Sequence, residues 1–187
     1  MSKTKRILTL LYDLIFIGIL VYFDRYTKNK ADLYLKGKEE IPIIKDVLVL
    51  KYLEGGNRGG AFGILYGQRQ LLLIVSAVFL LVMLFFLIWF PAIKKYRLLR
   101  FFICLISAGA AGNLIDRYLT GYVVDFIYIS CINFPLFNVA DIYVTVSAFA
   151  LAILILFVYK EEELDLKKAN NPKLHSSMMG ERENGGK

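Results

Sequence analysis

The sequence predicts a mainly α membrane protein with four transmembrane helices and a small extracytoplasmic β-sheet. The chain of 187 residues is 57% hydrophobic, with a mean hydropathy of +0.54, which is too apolar for a soluble domain of this size. It contains four runs close to the roughly 20 apolar residues that span a bilayer. Between these runs, residues 46–54 and 121–129 have the alternation or the β-branched and aromatic content of strands.

The four predicted helices lie at about residues 7–23, 71–90, 98–115 and 142–159. The second carries no charge, whereas the first contains Asp13 and the third contains Arg100 near its start. Asp13 either faces the bundle interior or lies close enough to the membrane surface to be hydrated. The sequence around it assigns it no role. The first run has the basic start of a signal peptide but no small-x-small cleavage site. We therefore interpret it as a retained helix.

Lys and Arg near the helix ends predict the orientation of the chain. The N-terminal SKTKR and the loop PAIKKYRLLR are basic, whereas the connection before the fourth helix contains only Arg117. This pattern places both termini in the cytoplasm and residues 121–141 on the opposite face. Residues 24–70 would also lie outside, yet they contain nine Lys or Arg against six Asp or Glu, which disagrees with this orientation. We discount this because long loops follow the positive-inside rule poorly. The net charge of +7 fits cytoplasmic flanks beside anionic lipid.

The chain divides into a four-helix membrane domain, residues 1–160, and a polar tail, residues 161–187, that we expect in the cytoplasm. Residues 24–70 form the outer segment, in which a strand-like DVLVLKYLE runs into the glycine-rich GGNRGGAFG. In the third helix, Ala108, Gly109, Ala111 and Gly112 are small enough for close helix packing in lipid. The tail is predicted to be a short helical extension followed by disorder.

Composition excludes several chemistries. Basic residues do not interleave with aromatic residues on a soluble face, so no nucleic-acid partner is expected. Cys104 lies within the third helix and Cys131 lies in a loop, which argues against a disulfide and leaves too few soft ligands for a metal. The only histidine, His175, is in the tail, so the membrane domain has no Ser-His or Cys-His dyad. We expect no metal or organic cofactor.

Two aspartates stand where a membrane protein normally avoids them. Asp125 lies within the apolar run GYVVDFIYI, and Asp141 opens the fourth apolar stretch. An acid there usually pairs, lines a cavity or does chemistry. Two adjacent carboxylates do not both ionise readily, so the pair offers one base and one acid at the same pH. Alternatively, Asp141 is only a helix cap and Asp125 only pairs with Arg117.

Two motifs flank these acids. GNLIDRY places Asn113 and Asp116 three residues apart on one helix face, with Arg117 beside them. FNVAD places Asn138 three residues before Asp141, where it can orient that carboxylate. Their plain alternatives are a solvated helix end and ordinary turn and cap chemistry.

Two further motifs lie in the outer segment. NRGGAF places Asn57 and Gly59 in a glycine-rich turn, for which an ordinary loop is the alternative. DRYTK follows the first predicted helix, and its Asp24 and Lys28 could simply be interfacial anchors.

In this order and at these helix positions, GNLIDR, GYVVDF and FNVAD resemble the signatures of the bacterial lipoprotein signal peptidase family, the type II signal peptidases. NRGGAF and DRYTK resemble its two earlier motifs, and the resemblance covers roughly residues 5–160. It implies an intramembrane aspartic endopeptidase of the bacterial inner membrane that cleaves lipid-modified prolipoproteins before the diacylglyceryl cysteine. It also implies contact with membrane lipids and inhibition by globomycin.

The resemblance implies that Asp125 and Asp141 are the catalytic acids, with Asp24 and Lys28 at the cavity rim. The residues that it assigns to substrate binding or support are Asn57, Gly59, Asn113, Asp116, Arg117, Asn138, Asp24 and Lys28. Two departures affect only the rim and the glycine turn, since Arg25 stands where the family has Gln and Gly60 where it has Ala.

Two other classes of function stay open from the residues alone. In a small channel or transporter, the two aspartates would form an ion or proton relay. In a membrane scaffold, they would only pair with Arg117. A relay needs polar groups distributed across the bilayer, whereas the second and fourth helices are almost wholly apolar. The clustering of both acids at one face favours a reaction near the membrane surface.

Overall fold

In the computed structural model, which describes residues 3–60, 63–159 and 161–164, four long helices and a small antiparallel sheet make up the fold. The long helices are α1 (Lys3–Tyr34), α2 (Arg69–Trp89), α3 (Arg97–Leu119) and α4 (Val139–Ile153). A single 3₁₀ turn precedes α3, a π-helical turn extends α4 to Val158, and α5 (Glu161–Leu164) follows. Four of these segments are long and apolar enough to cross a membrane, which confirms the predicted fold class.

Helix α3 is the central helix, because it packs against α1, α2 and α4. More than half of its spanning segment is buried, against about a tenth in each of the other three. The outer helices expose large apolar side chains such as Leu81, Phe149 and Phe157, as lipid-facing helices do. The small residues of α3 permit its central position. A Cβ added to Gly109 would lie 2.5 Å from the carbonyl oxygen of Ala140, so α3 and α4 are in direct backbone contact there.

Helix α1 is longer than the apolar run that predicted it. It continues to Tyr34, so the prediction that DRYTK follows the first helix is wrong. At 1.5 Å per residue its 32 residues extend about 48 Å, well beyond a hydrocarbon core of about 30 Å. The extension has polar residues but no Gly or Pro, and its buried Asp24 and Lys28 pair at i, i+4 spacing. The apolar run therefore ends near residue 23, whereas the helix continues to Tyr34.

The sheet consists of β1 (Ile41–Ile44), β2 (Leu48–Leu50) and β3 (Ile127–Ile129), in that spatial order and antiparallel throughout. β2 and β3 lie within the two predicted strands. β1 was not predicted, because Ile-Pro-Ile-Ile is short, contains Pro and exposes all four residues. Beyond β3 the pairing continues as single bonds, with the Lys51 and Leu53 amides donating to the Phe126 and Asp125 carbonyls. The sheet thus fixes the backbone at Asp125.

Two apolar clusters support the two ends of the bundle. The larger contains Ile17, Leu87, Phe90, Tyr96 and other buried residues of α1, α2, α3 and the segment after α4. The smaller joins the α1 extension to the sheet through Ala31, Leu35, Tyr52 and Phe126. We call the end with the sheet the sheet end, and the end where α1 begins and α2 ends the basic end.

Asp13 is the half-buried acid of the basic end that the sequence left unexplained. It faces the bundle and forms an ion pair with Arg100 of α3. Arg100 also donates to the backbone carbonyls of Leu87 and Phe90, both at 2.6 Å. Cys104 is buried and Cys131 is exposed, and both are free thiols. The predicted tail lies outside the described residues beyond α5.

Candidate active site

Asp125 lies between the end of α3 and β3, and only 1% of it is exposed. Asn57 Nδ2 donates to its Oδ2 at 2.8 Å, and Asn138 Nδ2 donates to its Oδ1 at 2.6 Å. Burial, and after it the charge of Asp141, raise the pKa of Asp125 to about 6. The two amides and Lys28 act against this rise without cancelling it. Asp125 therefore holds a proton more readily than an ordinary aspartate.

Asp141 lies in the first turn of α4 but is not its N-cap. The N-cap is Asn138, whose Oδ1 accepts from the Asp141 amide at 3.0 Å, while the Asn138 amide donates to Asp141 Oδ2 at 3.1 Å. This reciprocal capping box fixes the carboxylate with respect to the start of the helix. Its other oxygen, Oδ1, accepts from Asn113 Nδ2 at 2.8 Å. These contacts hold the Asp141 carboxylate in place and are also the cap chemistry that the sequence offered as the alternative, so a functional role for Asn138 stays a prediction.

Asn138 is the residue that joins the two acids. Its side chain donates to Asp125, while its backbone amide donates to Asp141. All four carboxylate oxygens of the pair thus accept a hydrogen bond, and every donor is a neutral amide. In the described ranges neither acid forms an ion pair, and the alternative pairing of Asp125 with Arg117 is not found. The negative charge of Asp125 and Asp141 is therefore left without a direct counter-ion.

Asn57 reaches Asp125 from a glycine turn. Its Oδ1 accepts from the amides of Gly59 and Gly60 at 3.1 and 2.9 Å, so its Nδ2 must point toward Asp125. Its backbone forms an isolated bridge with Val123, which aligns the turn with the segment that carries Asp125. A Cβ on Gly59 would lie 2.6 Å from the Gly63 backbone, so only glycine fits there. The last two residues of NRGGAF, 61 and 62, lie outside the described residues.

Asp24 and Lys28 are fully buried, so the expectation that they form a cavity rim is wrong. Lys28 Nζ donates to Asp24 Oδ2 at 2.8 Å and to Asn113 Oδ1 at 2.9 Å. Because Asn113 Oδ1 accepts from Lys28, its Nδ2 is directed to Asp141. Asp24 Oδ1 accepts from the Ala140 amide at 2.9 Å, which ties α1 to the first turn of α4. Both residues lie behind the acids and support them.

Asp116 lies beside this lysine. Its Oδ1 pairs with Arg25, and its Oδ2 lies 2.9 Å from Lys28 Nζ in an ion pair whose geometry does not make a hydrogen bond. Asn113 and Asp116 share a face of α3, as their spacing predicted. Arg25 was missed as a partner, because it was placed in a loop after the first helix. Had the helix been extended, the spacing of three residues between Arg25 and Lys28 would have placed both cations on one helix face.

A cavity of about 880 Å³ opens in front of the acids. Both carboxylates border it, together with Asn57, Gly59, Asn113 and Arg117. Most of its wall is apolar and comes from α4 and the segment before it, including Phe134, Phe137, Ile142, Val144 and Val146. Arg117 is a buried cation that lines the cavity, and its Nε is buried without a hydrogen-bond partner. The arrangement suits a largely apolar ligand that presents a polar group to the acids.

Of the predicted site residues, the structure brings six to the cavity wall and keeps the other four behind it. Those behind it are Asp24, Lys28, Asp116 and Asn138. Among the described residues, no group of three or more His, Cys, Asp or Glu has the placement to hold a metal ion.

Comparison with known proteins identifies similar chains. The family model described as signal peptidase (SPase) II matches residues 16–157. A lipoprotein signal peptidase of Clostridium tetani is 38% identical over 159 residues, which cover 83% of this chain and 97% of that protein. One of Clostridium acetobutylicum is 42% identical over 155 residues, covering 81% and 95%.

Solved structures also resemble this chain. A bacterial membrane enzyme determined by the in meso method at 1.9 Å resolution is 31% identical, with a TM-score of 0.67, over 79% of this chain and 94% of that one. A second such structure, at 2.3 Å, has a TM-score of 0.68 and the same identity over 82% of this chain and 94% of that one. The range matched by the family model, residues 16–157, includes the residues around the cavity.

Proposed function

This chain belongs to the signal peptidase II family, and on that premise we propose that it removes signal peptides from diacylglyceryl-modified prolipoproteins by cleaving before the lipidated cysteine. One observation supports the proposal above the others. Two carboxylates, joined by Asn138 and held only by neutral amides, border a cavity with mostly apolar walls. Such a cavity accepts an apolar peptide and acyl chains and brings one peptide bond to the acids.

The proposed chemistry is aspartic peptide hydrolysis by Asp125 and Asp141 as a pair that shares one proton. The ionised member takes a proton from water, whose oxygen attacks the scissile carbonyl carbon, while the protonated member donates to the carbonyl oxygen. Collapse of the tetrahedral intermediate breaks the C–N bond, and a proton passes to the departing amine. The raised pKa of Asp125 supports a proton shared by the two acids near neutral pH. Because the two carboxylates interact, the pKa values that titration would give belong to the pair and not to either residue.

The surrounding residues take supporting roles in this proposal. Asn57, Asn113 and Asn138 orient the carboxylates, and Gly59 allows the turn that places Asn57. Arg117, a cation that lines the cavity, binds a substrate carbonyl or the developing oxyanion. Asp24, Lys28 and Asp116 act through Asn113 and the start of α4, without touching the substrate.

We place the enzyme in the bacterial cytoplasmic membrane, with both termini in the cytoplasm and the acid pair at the extracytoplasmic face. The basic flanks support this orientation, since Lys3, Lys5, Lys94 and Lys95 cluster at the basic end. The substrate is itself a transmembrane helix with its lipid at the outer surface. The sheet end of the bundle then holds the acids at the depth of the bond to be cut, and membrane lipids surround α1, α2 and α4.

A channel or transporter is not favoured by this arrangement. A relay requires polar side chains along a path through the bilayer, whereas α2 has no charged residue after Arg69 and α4 has only Asp141. Asp13 does not extend such a path, because Arg100 neutralises it inside an apolar cluster.

The experiment that tests the function compares two substrates. The purified protein in detergent or lipid is incubated with a prolipoprotein that carries the diacylglyceryl group and with the same precursor lacking it. We expect a size shift in the first alone, insensitive to a chelator and blocked by globomycin. Equal cleavage of both precursors, or of neither, would reject the proposed substrate class.

A further inference from the structure

Arg25 is a half-buried cation near the acid pair to which the proposed mechanism gives no part. Its Nη1 pairs with Asp116 Oδ1, and its side chain is 27% exposed while that of Asp116 is 1% exposed. Among the described residues, the only other cation that pairs with Asp116 is Lys28, which already donates to Asp24 and Asn113. Without Arg25, Lys28 would have to neutralise two buried carboxylates. Arg25 therefore decides how much of the Lys28 charge remains for the site.

A contact path leads from Arg25 to the acids. Asp116 contacts Lys28, and Lys28 donates to Asn113 Oδ1 at 2.9 Å. Asn113 donates in turn to Asp141 Oδ1 at 2.8 Å. Arg25 touches neither acid and does not line the cavity. Its influence on the reaction can only be electrostatic or pass through these neighbours.

The charged groups that face the acids come from every element packed around them. Helix α1 supplies Asp24, Arg25 and Lys28, α3 supplies Asp116 and Arg117, and α4 and the β3 segment supply the acids themselves. Arg58 also borders the cavity, but it is exposed, and Arg69 is exposed and bonded to the Arg117 and Tyr118 carbonyls. Water screens these two exposed cations far more than the buried groups.

The sum of the buried and half-buried charges is informative. Four carboxylates, Asp24, Asp116, Asp125 and Asp141, face three cations, Arg25, Lys28 and Arg117, so the fully ionised site carries one excess negative charge. A single proton on the acid pair brings the sum to zero. Charge imbalance is costly where water is excluded, so the neutral arrangement is favoured. That arrangement is the one the reaction needs.

We propose that Arg25 is a positioning residue that neutralises Asp116 and thereby sets the pH range in which the acid pair carries exactly one proton. This inference rests on the proposed function. Removal of the Arg25 charge leaves a net negative site even with one proton on the pair. Both proton-loss steps then require higher pH, because each adds negative charge to a site that already has too much. Arg25 thus contributes to catalysis without touching the substrate.

The test is a set of pH–rate profiles for cleavage of the lipidated precursor by four variants. Arg25→Gln should move both limbs of the profile to higher pH by roughly half to one unit, as expected for one partly screened charge. Arg25→Lys keeps the charge and should keep the profile. Asp116→Asn should move it to lower pH. The double variant R25Q/D116N restores the original charge sum, so its profile should return toward that of the unmodified protein.

This return in the double variant separates the proposal from a purely structural role. If Arg25 only braced the helices, R25Q/D116N would be at least as impaired as either single variant, and its profile would not return. An unmoved profile in Arg25→Gln, or equal shifts in Arg25→Gln and Arg25→Lys, would overturn the proposal. If Arg25→Gln does not fold, Asp116→Asn tests the same charge sum with the opposite sign.

A second readout does not depend on cleavage and keeps the two proposals distinguishable. The pH dependence of the unfolding midpoint reports proton binding by the buried acids in each variant. A protein inactive on lipidated precursor rejects the proposed function. The Arg25 proposal would still stand if Arg25→Gln moved this pH dependence upward and R25Q/D116N reversed it, and would fall if neither variant moved it.

Discussion

The basic end and the sheet end of the bundle both bury carboxylates, but in opposite ways. At the basic end Asp13 pairs directly with Arg100, whose Nη1 donates to two backbone carbonyls beside a packed apolar cluster. At the sheet end Asp125 and Asp141 accept only from neutral amides and border an open cavity. The charge of Asp13 is neutralised by Arg100, whereas the charge of the Asp125 and Asp141 pair stays available to a ligand in the cavity.

The contrast shows that an acid in a membrane helix is not a functional site by its presence alone. Asp13 and Asp141 look equally out of place in the sequence. What distinguishes them is the partner: a cation for Asp13, and amides plus a second carboxylate for Asp141. Buried ion pairs add little net stability but are costly to break, whereas unpaired carboxylates persist only where other groups hold them.

The largest expected effect separates the two ends by activity. Asp125→Asn or Asp141→Asn should reduce cleavage of a lipidated precursor by about 10³- to 10⁴-fold, because each removes the only exchangeable proton site at one position of the pair. Asp13→Asn is the matched control and should retain cleavage in its folded fraction. Initial rates measured on folded protein check this. Near-normal turnover in either acid variant would refute the pair.

The next effect separates the two ends by stability. Asp13→Asn leaves Arg100 buried without its counter-ion and should lower the free energy of unfolding by about 3–5 kcal/mol. The double variant D13L/R100M replaces both charges with apolar groups and should recover most of that loss. Unfolding in mixed detergent measures both. A double variant less stable than Asp13→Asn would show that the Arg100 bonds to the Leu87 and Phe90 carbonyls dominate.

A smaller effect concerns the pH dependence of stability at the sheet end. The folded-state pKa of Asp125 is raised from 3.8 to about 6, so its contribution to stability is full below about pH 4 and is lost as pH rises to about 6. Asp125→Asn has no such proton to lose. Its free energy of unfolding should therefore exceed that of the unmodified protein above pH 6 by up to about 3 kcal/mol and approach it near pH 4. A difference that does not change with pH would contradict the raised pKa.

The smallest effect tests the close packing that holds the sheet end together. A Cβ at Gly112 would meet the Asp24 carboxylate, whereas one at Gly18 in α1 meets nothing within 4 Å. Gly112→Ala should lower the free energy of unfolding by about 1–3 kcal/mol, and Gly18→Ala should be neutral or slightly stabilising. Equal effects of the two substitutions would mean that Asp24 can move away without cost.

The sequence predicted the helices because their signal is local. A run of about 20 apolar residues is sufficient evidence for a span, and all four spans were found near their observed positions. The extension of α1 to Tyr34 was missed because it is polar, and its burial depends on contacts with α3 and the sheet. β1 was missed because its residues are exposed and its pairing with β2 is a tertiary property.

The site was only partly predictable, for a related reason. Motif resemblance named Asp125, Asp141 and their neighbours, and spacing alone linked Asn138 to Asp141. Convergence of Asn57 with Asp125 requires the long-range bridge between Asn57 and Val123, which no local pattern encodes. For the same reason, periodicity could not assign Arg100 to Asp13 or Arg25 to Asp116.

The central claim is that the two carboxylates act as one titrating unit, and the pH dependence of cleavage by the unmodified protein tests it most directly. Initial rates on a lipidated precursor, taken from about pH 4 to pH 9, should rise and then fall, because the pair must hold one proton and neither zero nor two. A rate that stays constant across that range, or that changes in only one direction, would contradict a paired mechanism.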